Sequence, residues 1–426
     1  MSLASYHLEN IIRIKHGFAF KGEYFSFEPN ENILVTPGNF NIGGGFKSGK
    51  LKYYNGPLQK DYILTSGDLI VTMTDLSKEA DTLGFAAKVP DDKHHNYLHN
   101  QRIGLVKKID QNFDSGFLYW LMRSEAYQKF IAGSATGATV KHTSPTKIYA
   151  FKFKAPKEKI EQKKISSILF AYDDLIENNL QRIKLLEETA QITYEEWFVR
   201  MKFPGHEKAS IDPETGLPHG WCSLTLADVT VYINRGITPK YVEEKGFPVL
   251  NQKCIRDNYV NFKDSRLTSC EKKISPDKLL KPLDILVNST GAGTLGRVGQ
   301  VFDCPERVTV DSHVTIIRAS QDISPYYLGR HLEAMESFIE SLGKGATNQQ
   351  ELGRSELAKS VMVNVPTSDL SAEFDQLCKP VYETCSALRN QNQLLKEARD
   401  ILLPRLMTGM IDIDKVELPE ALLARS

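Results

Sequence analysis

Two glycine-rich runs carry the residue types that hold phosphates. Gly44-Gly45-Phe46-Lys47-Ser48-Gly49-Lys50-Leu51 comes within one residue of the phosphate loop G-x-x-x-x-G-K-[ST]. In that loop backbone N–H groups cradle the phosphates, the lysine reaches them, and a hydroxyl holds Mg²⁺ at the start of a helix. Leu51 has no hydroxyl, and Lys52-Tyr53-Tyr54-Asn55-Gly56-Pro57 cannot begin a long helix. A glycine hairpin carrying basic and aromatic residues is expected instead. The second run, Gly291-Ala292-Gly293-Thr294-Leu295-Gly296, satisfies G-x-G-x-x-G and follows the strand-like Asp284–Asn288. A dinucleotide fold needs a helix next, but Arg297–Phe302 reads as another strand, so a tight turn between strands is expected. His94, His95 and His99 lie close together without a Cys or Glu at ligand spacing, which predicts solvated loop histidines and no metal. No [DN]-P-P-[FY] run of the amino-methyltransferase kind occurs, and no helicase-type nucleotide site. The catalytic inventory is empty.

The elements around these residues belong to a large chain of ordinary globular composition. Its 426 residues, 41% hydrophobic and 25% charged, predict two or three domains. The start, MSLASYHLEN, lacks a basic stretch followed by an apolar run, so no secretory signal is expected. No stretch approaches the ~18 apolar residues of a membrane span. Cys222, Cys254, Cys270, Cys304, Cys378 and Cys385 form no C-x-x-C pair and are expected to be reduced thiols of a cytoplasmic protein. Lys plus Arg equals Asp plus Glu at 53 each. That balance speaks against a free-standing nucleic-acid binder, unless positive charge clusters locally or a partner supplies it.

The strongest organisational signal is an internal repeat. Gly67-Asp68-Leu69-Ile70-Val71-Thr72 recurs as Leu283-Asp284-Ile285-Leu286-Val287-Asn288. Leu83-Gly84 with Val89 recurs as Leu295-Gly296 with Val301, Gly137-Ala138-Thr139 as Gly345-Ala346-Thr347, and Ala155-Pro156 as Val365-Pro366. The order is kept and the offsets stay between 208 and 216 residues, as duplication with small loop insertions would leave them. Each half reads as a globular domain followed by a helix. The globular parts show short apolar runs between Gly, Pro, Asn and Asp, the mark of β-rich structure, with helical stretches at Phe117–Ile131 and Tyr326–Leu342.

The two long helices show heptad spacing. In the first the core positions are Ile165, Leu169, Tyr172, Ile176, Asn179, Ile183, Leu186, Ala190, Thr193 and Trp197. In the second they are Phe374, Leu377, Val381, Thr384, Leu388, Gln391, Leu395, Ala398, Leu402 and Arg405, with Pro404 expected to end or kink the helix. Either the two stripes bury each other or each packs on its own domain. Asn179 is the fifth core position of one helix and Gln391 the sixth of the other, so an antiparallel pair brings the two amides together. A buried amide left alone costs about 1–3 kcal/mol, and a mutual hydrogen bond removes that cost and penalises slipped registers. The rod is expected to be roughly 48 Å long at ~1.5 Å per residue.

Particular segments carry a resemblance. Ala155-Pro156, Ile160–Ile165, Tyr172–Asn179, Glu195-Glu196-Trp197-Phe198 and Phe203-Pro204-Gly205-His206 resemble the central conserved region of type I restriction-modification specificity subunits. Leu394–Arg399 and Leu402–Gly409 resemble their distal conserved region. The resemblance implies an α+β fold. Two β-rich mixed α/β target-recognition domains are separated by a long antiparallel two-helix coiled coil with an internal pseudo-two-fold repeat. The expected boundaries are 1–157, 158–200 for the central helix, 201–220 for a linker, 221–366, 367–410 for the distal helix, and a tail at 411–426.

The resemblance also implies a non-catalytic role. This chain reads a bipartite double-stranded DNA target and binds two modification subunits and the restriction subunits, with no membrane involved. S-adenosylmethionine, ATP and Mg²⁺ belong to those partners, and this chain holds no cofactor. Lys47, Lys50, Lys52, Tyr53 and Tyr54 are candidate DNA contacts in the first domain. In the second they are Arg235, Lys240, Asn251, Gln252, Lys253, Asn288, Arg297 and Lys344. Arg, Asn and Gln suit base edges, and Lys suits phosphate. A self-sufficient methyltransferase or nuclease, and a coiled-coil scaffold without DNA, are the competing readings.

Overall fold

The computed structural model describes residues 2–75, 77, 79–271, 273–345 and 350–423. Ala346 and Thr347 of the repeat lie outside them. The chain packs as two compact units, Met1–Glu177 with Asn392–Ser426, and Asn178–Gln391.

In the first unit Ile12–His16, Ile103–Lys108, Leu69–Thr72 and Ala86–Lys88 lie in that order in an antiparallel sheet. Ile12 and Ile14 face the core while Arg13 faces out, the period-two pattern of a half-covered strand. A second sheet runs Phe25–Ser26, Tyr53–Tyr54, Asn32–Val35, Asn96–His99, Ile63–Leu64, with the pair Asn32–Val35 and Asn96–His99 parallel. Leu3–His7 pairs with Lys152–Pro156. The predicted helical stretch from Phe117 to Ile131 is broken into Ser115–Leu121 and Glu125–Ser134. Asp114 starts the first piece by accepting a hydrogen bond from the N–H of Phe117 at 2.8 Å, and Ser124 caps the second. The core gathers Leu8, Phe117, Trp120 and Tyr127, and it closes on Ile165 and Leu169 of one long helix and Leu403, Leu406 and Met407 of the other. Ile413 of the tail is fully buried in the same core.

The second unit repeats this plan. Thr230–Arg235, Val314–Ala319, Ile285–Asn288 and Val298–Gln300 follow one another in the same order, extended here by Tyr259–Val260 and Ile255–Arg256. Tyr241–Val242, Arg266–Ser269, Gly246–Leu250 and Thr309–Val310 form the smaller sheet, again with one parallel pair, Gly246–Leu250 with Thr309–Val310. Cys222–Thr225 pairs with Met362–Val365. The repeat extends to single hydrogen bonds. Asp68 accepts from the N–H of Thr65 at 2.8 Å, and Asp284 accepts from the N–H of Lys281 at 2.8 Å. Gly67 and Leu283 each donate to the carbonyl of a valine, Val89 and Val301. Phe203 and Leu217, in the segment expected to be a linker, are buried in this unit's core.

The long helices span Lys159–Tyr194, followed by a π-turn at Glu195–Val199, and Ser368–Met407. They run antiparallel in each unit. In the first unit Asp173 pairs with Arg399, and Asn392 donates to the carbonyl of Ile176 at 3.3 Å. In the second, Asn179 donates to the side-chain oxygen of Gln391 at 2.9 Å, Glu187 pairs with Arg389, and Ile183 packs with Cys385 and Leu388.

Parts of the second stripe lie elsewhere than expected. Leu377 is 49% exposed while Cys378 is buried, and Gln391 is exposed while Asn392 is buried. Pro404 lies in the last turn of its helix, which ends at Met407, and the N–H of Thr408 bonds to the Pro404 carbonyl. Among the described residues no helix is long and apolar enough to cross a membrane.

Candidate nucleic-acid interface

Two loops of the second domain hold most of its candidate residues. After the strand Gly246–Leu250 the chain makes a tight turn at Gln252–Cys254, held by the Asn251 side chain accepting from the N–H of Lys253 at 2.9 Å. After Ile285–Asn288 the glycine run forms a turn with φ of +107° at Gly291, +69° at Gly293 and +80° at Gly296. It leads straight into the next strand, as expected of a turn and not of a nucleotide site.

The loops are cross-linked. Gln252 Nε2 donates to the Thr290 carbonyl at 2.9 Å and to its hydroxyl at 2.6 Å. The Thr290 hydroxyl is also hydrogen-bonded to His313 Nδ1, 2.8 Å away. Thr290 and Lys344 each bridge to Glu351 through the backbone, and Glu351 pairs with Arg235, which also donates to the Leu352 carbonyl at 2.7 Å. Arg235, Gln252 and Lys344 are thus brought together around Thr290 and Glu351. Arg297 sits on the glycine turn, donating to the Gly293 carbonyl at 2.8 Å, and Lys253 is exposed on the neighbouring loop. Lys240 belongs to a different part of the surface, 3.7 Å from Glu271.

Asn288 is not available as a contact. It is fully buried, and its amide nitrogen donates to the Gln252 carbonyl at 3.2 Å, so it braces the loop from inside. Tyr54 in the first domain is corrected for the same reason. Neighbouring residues of a strand face opposite sides, and Tyr54 faces inward at 2% exposure against Phe20, ring centroids 4.9 Å apart. Tyr53 is half-buried, Lys47 and Lys50 are exposed, and the Lys52 ammonium lies 5.2 Å from the Phe25 ring.

The first glycine run is a hairpin, not a phosphate loop. Gly43, Gly44 and Gly45 take φ of +85°, +86° and +91°. A Cβ on Gly44 would stand 2.6 Å from Arg123 Cγ and 2.9 Å from the Ala86 carbonyl, so only glycine fits. Of the three histidines, His94 is exposed and His95 pairs with Asp92 at 2.7 Å. His99 was expected in solvent, but it is 1% exposed within a strand, donating from Nε2 to the Ile103 carbonyl at 2.9 Å. Burial pushes its pKa down to about 4. Among the described residues no cluster of His, Cys, Asp or Glu could hold a metal.

Four first-domain positions escaped the sequence reading. The N–H of Ser289 donates to the His313 carbonyl, and the N–H of Leu352 to that of Ser289. In the first domain Met73 donates to Arg102, and Thr143 to Met73. Strand register carries the match outward, so His16, Arg102, Thr74 and His142 occupy the places of Arg235, His313, Thr290 and Glu351. Thr74 and His142 are again in contact, hydroxyl to Nδ1 at 3.3 Å. The repeat offset pointed to them, but their own local sequence gave no sign.

Comparison with known proteins places this duplicated plan. The family model described as the type I restriction modification DNA specificity domain matches residues 4–188. A relative, the type I restriction enzyme MjaIX specificity subunit of Methanocaldococcus jannaschii, is 22% identical over 308 residues, covering 71% of this chain and 70% of that one. Residues 4–188 thus match the type I restriction-modification DNA specificity family, and the chain is similar in sequence to a type I specificity subunit. The crystal structure of a type I S subunit from M. genitalium shares the fold, with a TM-score of 0.59 at 15% identity over 95% of this chain and 96% of that one. The matched family is that of DNA specificity domains, and the relative is the specificity subunit of its restriction enzyme. The family carries no cofactor, and S-adenosylmethionine and ATP sit on the modification and restriction subunits. The second domain lies beyond the matched residues, and its repeated strand order ties it to the first.

Proposed function

We propose that the chain is a specificity subunit and that each of its domains, 1–157 and 221–366, reads one half of a bipartite double-stranded DNA target. The face around Thr290 serves one half and the face around Thr74 the other. The carrying observation is that one constellation stands at the same place in both domains while its side chains differ. Arg235, His313 and Glu351 in one are His16, Arg102 and His142 in the other. Equal position with unlike hydrogen-bonding groups is what reading two different half-sites requires. Lys47, Lys50, Lys253 and Arg297 lie on flanking loops, suited to phosphates and base edges.

The helix pair sets the gap between half-sites and docks two modification subunits, to which restriction subunits add. In the second unit Leu185, Ile192 and Val199 are each about 60% exposed at seven-residue spacing on one helix. Leu394 and Ile401 repeat that spacing on the other helix in the first unit. Apolar stripes of this kind suit helices of a partner. Partners that enclose the DNA also supply the positive charge that this neutral, cytoplasmic chain lacks.

The test is methyl transfer. The purified chain is expected to show no methylation, ATPase or cleavage, and adding the modification subunit should give methylation at one bipartite sequence, mapped by methylation-sensitive sequencing. Turnover by the chain alone would overturn the assignment, and methylation without sequence preference would overturn the half-site reading.

A further inference from the structure

A second feature is repeated between the domains and belongs to neither face described above. In the smaller sheet of the first domain, Asn32–Val35 lies parallel to Asn96–His99, with Val35 opposite His99. In the second, Leu250 stands opposite Val310. The parallel bridges Phe18–Asn100 and Ile237–Asp311 fix these pairs as equivalents. Counting back, Ile33 matches Pro248. Ile33 pairs with Tyr53, and Pro248 with Leu267, so Lys52 matches Arg266. On the edge strand Phe25 opposes Tyr54, and Tyr241 opposes Thr268, so Phe25 matches Tyr241.

These two matched pairs make the same contact. The Lys52 ammonium lies 5.2 Å from the Phe25 ring centroid, and the Arg266 guanidinium lies 3.4 Å from that of Tyr241. Phe25 and Tyr241 are each 38% exposed. Phe27, 81% exposed, lies 5.6 Å from the same Lys52 ammonium. Neither cation is paired with a carboxylate among the described residues. Other basic residues of the second domain do have acidic partners: Arg235 with Glu351, Lys240 with Glu271 and Lys344 with Glu356.

We infer that Lys52 on Phe25 and Arg266 on Tyr241 are matched phosphate contacts, one for each half-site, that hold the DNA backbone without reading sequence. This rests on the reading that each domain binds one half-site. The ring fixes the cation over an exposed surface, so little freedom is lost when a phosphate binds. The sharing of chemistry between domains argues for phosphate over base. The polar faces differ between the domains, as two different half-sites require. This pair keeps only positive charge on an aromatic, and what two half-sites have in common is the sugar–phosphate backbone.

The experiment measures binding of the assembled specificity–modification complex to its target duplex and to an unrelated duplex over a range of salt. Lys52→Ala and Arg266→Ala are each expected to weaken binding to both duplexes roughly tenfold. Each should make the plot of log affinity against log salt shallower by about 0.9, and the double variant by about twice that. The methylated sequence should stay the same, and Lys52→Arg and Arg266→Lys should restore binding. Unchanged affinity and slope would overturn the inference. A changed base at one half-site would overturn it in favour of direct base readout. Thermal melting of the complexes separates loss of contact from loss of folding. A wild-type complex with no sequence preference would sink the half-site reading, while the slopes of the variants still decide the phosphate contact.

Discussion

At the scale of single residues, environment decides chemistry that residue type leaves open. His99 sits in DDKHHNYLHN, a segment polar enough to read as loop, yet its place in a central parallel pair buries it. Its Nδ1 has no hydrogen-bond partner, and its Nε2–H is committed to Ile103. The folded chain therefore holds His99 neutral down to about pH 4, whereas the unfolded chain protonates it near 6.5. The stabilisation is complete above the unfolded value and is lost as pH falls from about 6.5 through 4. By linkage its size is on the order of 3 kcal/mol. Denaturant unfolding at pH 7 and pH 4.5 should show that loss, and His99→Gln should flatten it. An equal slope in the variant would place the titration elsewhere. Leu283 makes a related point about the backbone. It holds a φ of +71° where the other half of the repeat uses Gly67 at +79°. The turn has the same shape with either residue, and at Leu283 the Asp284 bonds on either side hold it.

At the scale of elements, the helices are held by charge as well as by their stripes. Asp173 accepts from Arg123 at 2.9 Å and also pairs with Arg399. The two guanidinium groups are only 5% and 15% exposed. Asp173→Ala leaves Arg123 without its carboxylate and Arg399 with Asp400 alone, and is expected to cost about 3 kcal/mol. The neighbouring exposed Asp174→Ala should stay within about 0.5 kcal/mol. Urea unfolding of the two variants compares them, and equal stability would show that the bridge contributes nothing net. The first helix was legible because Ile165, Leu169, Ile176, Asn179, Ile183 and Ala190 are buried where their spacing put them. The second was read one residue off at Leu377 and Gln391. An alternation of three and four residues fits either starting step, and leucine attracts the choice. Phe374 and Cys378 answer to the domain core beside them as well as to the other helix, and that packing is absent from the heptad.

At the scale of the whole molecule, duplication predicts modular behaviour. Replacing residues up to about 157 with the corresponding domain of a homologue should change one half of the methylated sequence and leave the other intact. Inserting one helical turn into the pair should lengthen the tolerated gap and leave both halves intact. Sequencing of methylated sites reads both outcomes. A swap that alters both halves would rule out independent readout, and an insertion that alters base identity would rule out a spacer role.

The sequence by itself determined the repeat, the two long helices, the hairpin and turn in place of nucleotide sites, and the pairing of Asn179 with Gln391. Each of these is written in local spacing, in periodicity or in glycine placement, and such patterns act over a few residues whatever surrounds them. Tertiary structure alone decided which candidate contacts reach the surface. Tyr53 and Tyr54 differ by one strand position, yet one is half-buried and the other is core. Asn288 lies at the end of a buried strand, and its neighbour in space, Gln252, is 36 residues away in sequence. The matches of His16 with Arg235 and of Lys52 with Arg266 arise from strand register. Register is set by long-range pairing, and no short run of residues encodes it.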